Sequence, residues 1–233
     1  MKNLYLFITI TFCCVNCLAQ EIVERKNKLT DNVTEQFQTI IEARRQIKQG
    51  TYRAFYKKKT VIANGTYKDD KRTGIWNFFA PDGTLLENFD YNNNTLLYEA
   101  PQDKLSHIRY NVDYVLTDSD KATPPIRLGG RYFGYVPYLH LLTSYYVDKY
   151  ELRNYMVVMK LLISPMGRLA EYNLEVIHYA ADATIYTIDI SKLSDEDKTF
   201  IPATFNDKTI SSQISVFCIV NDAGEVYMSD FKN

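Results

Sequence analysis

Two stretches of the chain match each other 24 residues apart, and a repeat on that scale calls for a scaffold in which one local unit is used more than once. Gly50-Thr51-Tyr52-Arg53-Ala54-Phe55 aligns with Gly74-Ile75-Trp76-Asn77-Phe78-Phe79, Thr60-Val61-Ile62 with Thr84-Leu85-Leu86, Asn64 with Asn88, and Tyr67 with Tyr91. Asp82-Gly83 lies between two apolar runs, and both residue types tolerate positive φ, so the unit reads as a β-hairpin. Lys57-Lys58-Lys59 falls at the turn one repeat earlier, and Asn92-Asn93-Asn94 offers the next reversal. The equivalence predicts that Tyr52 and Trp76 occupy like places, as do Phe55 and Phe79, with one ring of each pair in a shared β core.

The rest of the chain carries other periods. Residues 20–48 fit both a helical stripe (Phe37, Ile40, Ile41, Ile47) and a strand, with strand preferred because the segment leads into the first repeat. Residues 99–123 are polar and turn-rich and read as a linker. Val136, Leu139, Leu142 and Tyr146 share one helical face, with Pro137 tolerable in a first turn, which predicts a helix of about ten residues. Tyr155 to Ile163 and Ala170 to Val176 alternate strictly around Ser164-Pro165-Met166-Gly167, an antiparallel hairpin. Residues 183–200 suit helix or strand. Ile214, Val216, Cys218 and Val220 alternate before a turn at Asn221-Asp222-Ala223-Gly224 and a return strand, Val226 to Phe231. The expected fold class is α+β and mostly antiparallel β: an N-terminal hairpin-repeat sheet joined to a small C-terminal α+β domain with its own antiparallel sheet.

Lys2, the apolar run Leu4 to Val15 and Cys17-Leu18-Ala19 have the layout of a secretory signal peptide over residues 1–19, cleaved before Gln20. The apolar run is shorter than the roughly 20 residues that span a bilayer, so no integral membrane span is expected in the mature chain. Lipoprotein processing is the competing expectation, opposed by Phe12, Cys13 and Asn16, which are poor choices for the small residue that should precede a lipidated cysteine. Loss of residues 1–19 removes three of four cysteines and leaves Cys218 without an intrachain partner. The balance of 27 basic and 28 acidic residues excludes the electrostatic footprint of a nucleic-acid binder. Tyrosine stands out at 19 residues, an excess that fits strands and half-buried sheet faces.

From Gly50 to Tyr91 the pattern Gly-x-Tyr, a short polar segment, Gly-x-Trp-x-Phe, a turn, Gly-x-Leu and a closing Tyr resembles MORN-like repeats of the bacterial variant type, which implies stacked hairpins over residues 20–98. The glycine expected near Lys59 is absent, and Phe89 stands where Gly65 stands one repeat earlier. Residues 124–220 resemble the C-terminal domain of TonB-like proteins. The points of contact are Pro125-Ile126-Arg127-Leu128-Gly129-Gly130, Met156 to Ile163 and Phe200-Ile201-Pro202-Ala203. That resemblance implies a small α+β domain over 124–233 and a periplasmic setting.

No constellation points to catalysis. His107, His140 and His178 are far apart and form no ligand pair on a helix, so no metal site is expected. Gly129-Gly130-Arg131-Tyr132-Phe133-Gly134 has P-loop glycine spacing, but Tyr135 stands where that loop requires lysine. Cys218 is in phase with the apolar face of its strand and reads as a buried, inert thiol. No catalytic, cofactor-binding or metal-binding residue is therefore assigned, and no cofactor is expected. The function expected is that of a non-enzymatic periplasmic or secreted envelope protein. It would mediate protein–protein or cell-surface interaction, with a TonB-type transport system as one setting. An envelope protein is the expected partner, and peptidoglycan or another glycan is the second class. The alternative expectation is a cell-wall-directed hydrolase with its site at the domain junction.

Overall fold

The computed structural model describes residues 21–102, 106–112, 117, 120–142, 155–178, 183–220 and 226–228. The expected signal peptide, the turn at 221–224 and the expected end of the helix at Tyr146 lie outside the described residues. The chain is mostly antiparallel β, as its periods predict. Seven strands in chain order, β1 (Val23–Lys28), β2 (Val33–Glu42), β3 (Arg45–Tyr56), β4 (Thr60–Lys68), β5 (Lys71–Phe79), β6 (Leu85–Asp90) and β7 (Thr95–Glu99), form one meander. Residues 20–48 thus supply strands β1, β2 and the start of β3, separated at 29–32 and 43–44, and in β2 the alternate side chains Val33, Glu35, Phe37 and Thr39 are buried on one face.

Turn chemistry explains how so many strands follow one another. Ala43-Arg44 and Asp69-Asp70 have positive φ at both positions, the two-residue hairpin geometry whose twist matches the strands. Lys57 and Lys58 also take positive φ, which places the basic triplet in a turn as its repeat position implies. Asp82-Gly83 reverses the chain differently from expectation. Only Gly83 is left-handed, at φ 91°, and the Asp82 carboxylate instead accepts the Thr84 N–H at 2.8 Å.

The two glycines that open the repeats have one physical role. Gly50 (φ 95°) and Gly74 (φ 64°) each sit in a bulge, where the register shifts between Phe37 and Thr39 and between Asn64 and Thr66. Beyond each bulge the same residues turn inward: Tyr52, Ala54 and Tyr56 in β3, and Trp76, Phe78 and Ala80 in and just after β5. Tyr52 and Trp76 are equivalent and both buried, with ring centroids 5.1 Å apart. Phe55 and Phe79 are equivalent too, but both are half-buried on the opposite face, because strand alternation gives the core positions to Ala54 and Phe78.

After the meander, β8 (Ile108–Val112) arises within the segment read as a linker, followed by β9 (Ala122–Thr123) and β10 (Ile126–Arg127). A 3-10 turn over Phe133–Tyr135 leads into the helix α1 (Val136–Leu142). Then come β11 (Tyr155–Ile163), β12 (Leu169–His178), β13 (Thr184–Thr187), β14 (Phe200–Ile201), β15 (Ala203–Phe205), β16 (Lys208–Ile210), β17 (Ser212–Val220) and β18 (Val226–Met228). The second large sheet runs β13-β12-β11-β17, with β18 and β8 sharing the far side of β17. Residues 183–200 resolve into strand β13 and a 3-10 turn at Ile190–Lys192, capped by the Asp189 carboxylate on the Ser191 N–H at 2.9 Å. Small sheets pair β10 with β14, and β15 with β9 and β16.

One continuous apolar core runs from Val33 to Met228. Residues 128–142 join the sheets: Phe133 stacks on Phe78 at 6.0 Å and meets Tyr52 edge-on at 6.1 Å, while Tyr138 meets Tyr172 of β12 at 5.7 Å.

Candidate functional site

Strand pairing leaves the sheet edges as the places where the backbone itself is open, and the edges are not alike. The β1 edge carries Glu24, Arg25, Lys26 and Lys28, charges that oppose docking of a further strand. The β7 edge is interrupted by a bulge beside Phe89. Thr184-Ile185-Tyr186-Thr187 of β13 has no charge, proline or bulge, and all four residues are exposed, Ile185 at 59% and Tyr186 at 42%. Ile188 donates its N–H to the Tyr172 carbonyl at 2.8 Å. By strand alternation Tyr186 and Thr184 also face β12, so the N–H and C=O groups of Ile185 and Thr187 point away from the sheet.

The segment 128–142, which joins the two large sheets, is held to the first of them by buried polar bonds. Glu87 is 1% exposed, and its Oε1 and Oε2 accept the backbone N–H groups of Gly129 (2.9 Å) and Gly130 (3.1 Å). The glycine-rich segment therefore cradles a carboxyl group, and it is the protein's own. Gly130 has φ 69° and lies so close to Phe78 that a Cβ there would stand 2.9 Å from the Phe78 Cβ. Burial pushes Glu87 up to about 7, outweighing the two N–H donors and the Arg127 charge that favour its ionised form; Glu99, its cross-strand neighbour, adds to the rise.

Two arginines converge on the loop after the 3-10 turn. Arg127 donates to the carbonyls of Gly134 (3.0 Å), Glu196 (3.3 Å) and Thr199 (3.1 Å) and to Asp197 Oδ1 (3.0 Å). Its guanidinium lies over the rings of Tyr138 and Phe200. Arg72 of β5 reaches the same loop, with Nε 3.2 Å from Glu196 Oε2 and Nη1 donating to the Tyr91 hydroxyl at 2.8 Å. At the open end of the aromatic core, Lys48 Nζ stands 4.5 Å from the Phe37 ring and 5.0 Å from the Tyr67 ring, and 3.6 Å from Glu35 Oε2.

The residues singled out in the sequence are placed as follows. His107 precedes β8, His140 lies in α1 and His178 ends β12; among the described residues no three His, Cys, Asp or Glu side chains gather in a way that could hold a metal. Cys218 is buried in β17, its thiol pushed up to about 12 by burial. No described helix is long and apolar enough to cross a membrane. Sequence reading missed Glu87, although the repeat offered a signal: its counterpart 24 residues earlier is Ala63, a buried core-face position. No protein-family model, curated protein or solved structure matches the chain.

Proposed function

We propose that this chain is an exported, non-enzymatic protein of the cell envelope that binds another protein by accepting an extended segment as a strand beside β13. The observation that carries this reading is the uncharged β13 edge, with outward-facing Ile185 and Thr187 backbone groups and the exposed Ile185 and Tyr186 side chains. Main-chain hydrogen bonds from such an edge supply affinity, and alternate side chains of the incoming strand supply selectivity. The junction between the sheets supports the same reading. Glu87, Asp197 and Glu196 are held there by backbone N–H groups or arginine, the geometry of a structural joint rather than of a paired acid and base. The resemblance of residues 124–220 to TonB-like C-terminal domains is the reason to look for the partner in the envelope, with a TonB-type transport complex as one setting.

The test pairs capture from envelope extract with the variant Ile185→Pro, which deletes an outward N–H and leaves the bonds to β12 in place. Wild type should retain one stoichiometric protein, the variant should lose it, and the amides of Ile185 and Thr187 should slow in hydrogen exchange when that protein is bound. Equal retention by both proteins would sink the proposal.

A further inference from the structure

The outer face of the seven-stranded sheet carries one aligned row of polar residues, one from each strand. Lys26 pairs with Gln36, Gln36 with Arg53, Arg53 with Asn64, Asn64 with Asn77, Asn77 with Asn88 and Asn88 with Tyr98. Buried residues flank Gln36, Arg53, Asn64, Asn77 and Asn88 in sequence and point inward, so the row faces away from the core. Its three asparagines are chained head to tail: Asn77 Nδ2 donates to Asn64 Oδ1 at 2.7 Å, and Asn88 Nδ2 donates to Asn77 Oδ1 at 2.5 Å.

Such a chain has polar ends. Asn64 Nδ2 makes no side-chain bond and remains a donor, Asn88 Oδ1 remains an acceptor, and each amide keeps a second N–H or lone pair. The amides are held by one another, so a ligand meeting them does not have to freeze their rotamers. They recur at the strand spacing of about 4.8 Å and are uncharged. Beside them, half-buried Phe55 and Phe79 and, at the end of the row, the exposed Tyr98 ring supply flat apolar surface.

From this we infer that the outer face of the sheet is a binding surface for an extended, uncharged, N-acetylated polysaccharide. Regularly spaced hydroxyls match the row of amides, acetamido groups continue the amide-to-amide bonding at its open ends, and sugar faces stack on Tyr98. A protein partner would need a desolvated apolar centre, which an amide row does not offer. A nucleic acid would need more cation than Lys26 and Arg53 provide. The surface is separate from the β13 edge, so the two proposals stand or fall independently.

The test uses a hexamer of β-linked N-acetylglucosamine as probe, with cellohexaose as its counterpart lacking acetamido groups. Saturable binding of the N-acetylated hexamer by the wild-type chain is expected, with cellohexaose at least tenfold weaker. Asn77→Ala, which cuts the ladder at its centre, and Tyr98→Ala, on an exposed side chain, should each weaken binding at least tenfold, and Ile185→Pro should leave it unchanged. Absence of wild-type binding, equal affinity for the two sugars, or undiminished binding by Tyr98→Ala would each overturn the inference. A ladder that only braces the sheet would lower the melting temperature of Asn77→Ala without any wild-type affinity for the hexamer.

Discussion

Glu87 and Ala63 hold equivalent places in successive repeats, yet Ala63 packs in the aromatic core while Glu87 is clamped by two backbone N–H groups from residues 42 and 43 positions further along. The substitution of a carboxylate for a methyl group turns a repeat position into an anchor for the segment 128–142 that joins the two large sheets. It also puts a group with its protonation raised to about 7 where solvent cannot reach it.

A pH dependence follows from that anchor. The folded Glu87 binds its proton up to about 7, whereas the unfolded group releases it near 4.5, so between those values the folded state holds more protons. Stability should therefore be fully present below the unfolded value and fall as pH rises toward 7, by an amount on the order of 3 kcal/mol from this group. Urea denaturation across pH 4.5 to 8 checks it. The slope should be lost in Glu87→Gln, and a wild-type slope of opposite sign in this window would refute the assignment.

Trp76 and Gly65 should be energetically coupled. A Cβ at Gly65 would stand 2.2 Å from the Trp76 ring, because the indole leans back across β4 and donates its Nε1–H to the Thr66 carbonyl at 3.2 Å. Trp76→Ala should cost about 3–5 kcal/mol. Gly65→Ala should be strongly destabilising in the wild type and nearly neutral in the Trp76→Ala background. Additive costs in that double-mutant cycle would refute the contact.

The same lean explains what was legible in the sequence. Tyr52, Trp76 and the hairpin turns were readable because each unit is local, and its glycines and turn residues act within a few positions. Phe89 replaces Gly65 without harm because Trp76 leans over β4 and not over β6. Phe55 and Phe79 were harder, since adjacent aromatic residues do not declare which faces inward until the bulges at Gly50 and Gly74 set the phase. β8 was hidden because its pairing partner, β17, lies about a hundred residues away and it is only five residues long, between the polar Ser106-His107 and Asp113. The β13 edge and the amide row depend on which strands become neighbours. No local period announces that.

Arg127 should tolerate no replacement, including lysine. Its side chain is 2% exposed and divides its donors among three carbonyls and Asp197, a fork that a single ammonium cannot reproduce. Arg127→Ala should cost about 3–5 kcal/mol by leaving Asp197 and those carbonyls unpaired. Chemical denaturation measures this; a loss under about 1 kcal/mol, the scale of an exposed pair, would show that the network contributes little.

Cys218 gives the last prediction. It alternates with Ile214 and Val216 in β17 and is 6% exposed, with its thiol 3.6 Å from the Val216 carbonyl. Burial raises the thiol to about 12, so near pH 8 the reactive thiolate is almost absent in the folded chain. Alkylation by iodoacetamide should be slow under native conditions and fast in denaturant, the ratio reporting the opening of β17 from β11 and β18. Cys218→Ala should cost about 1 kcal/mol, the scale of one buried methylene-sized group, and leave binding at β13 intact. Rapid native labelling with loss of partner capture in Cys218→Ala would mean that this face of the second sheet is open and takes part in recognition.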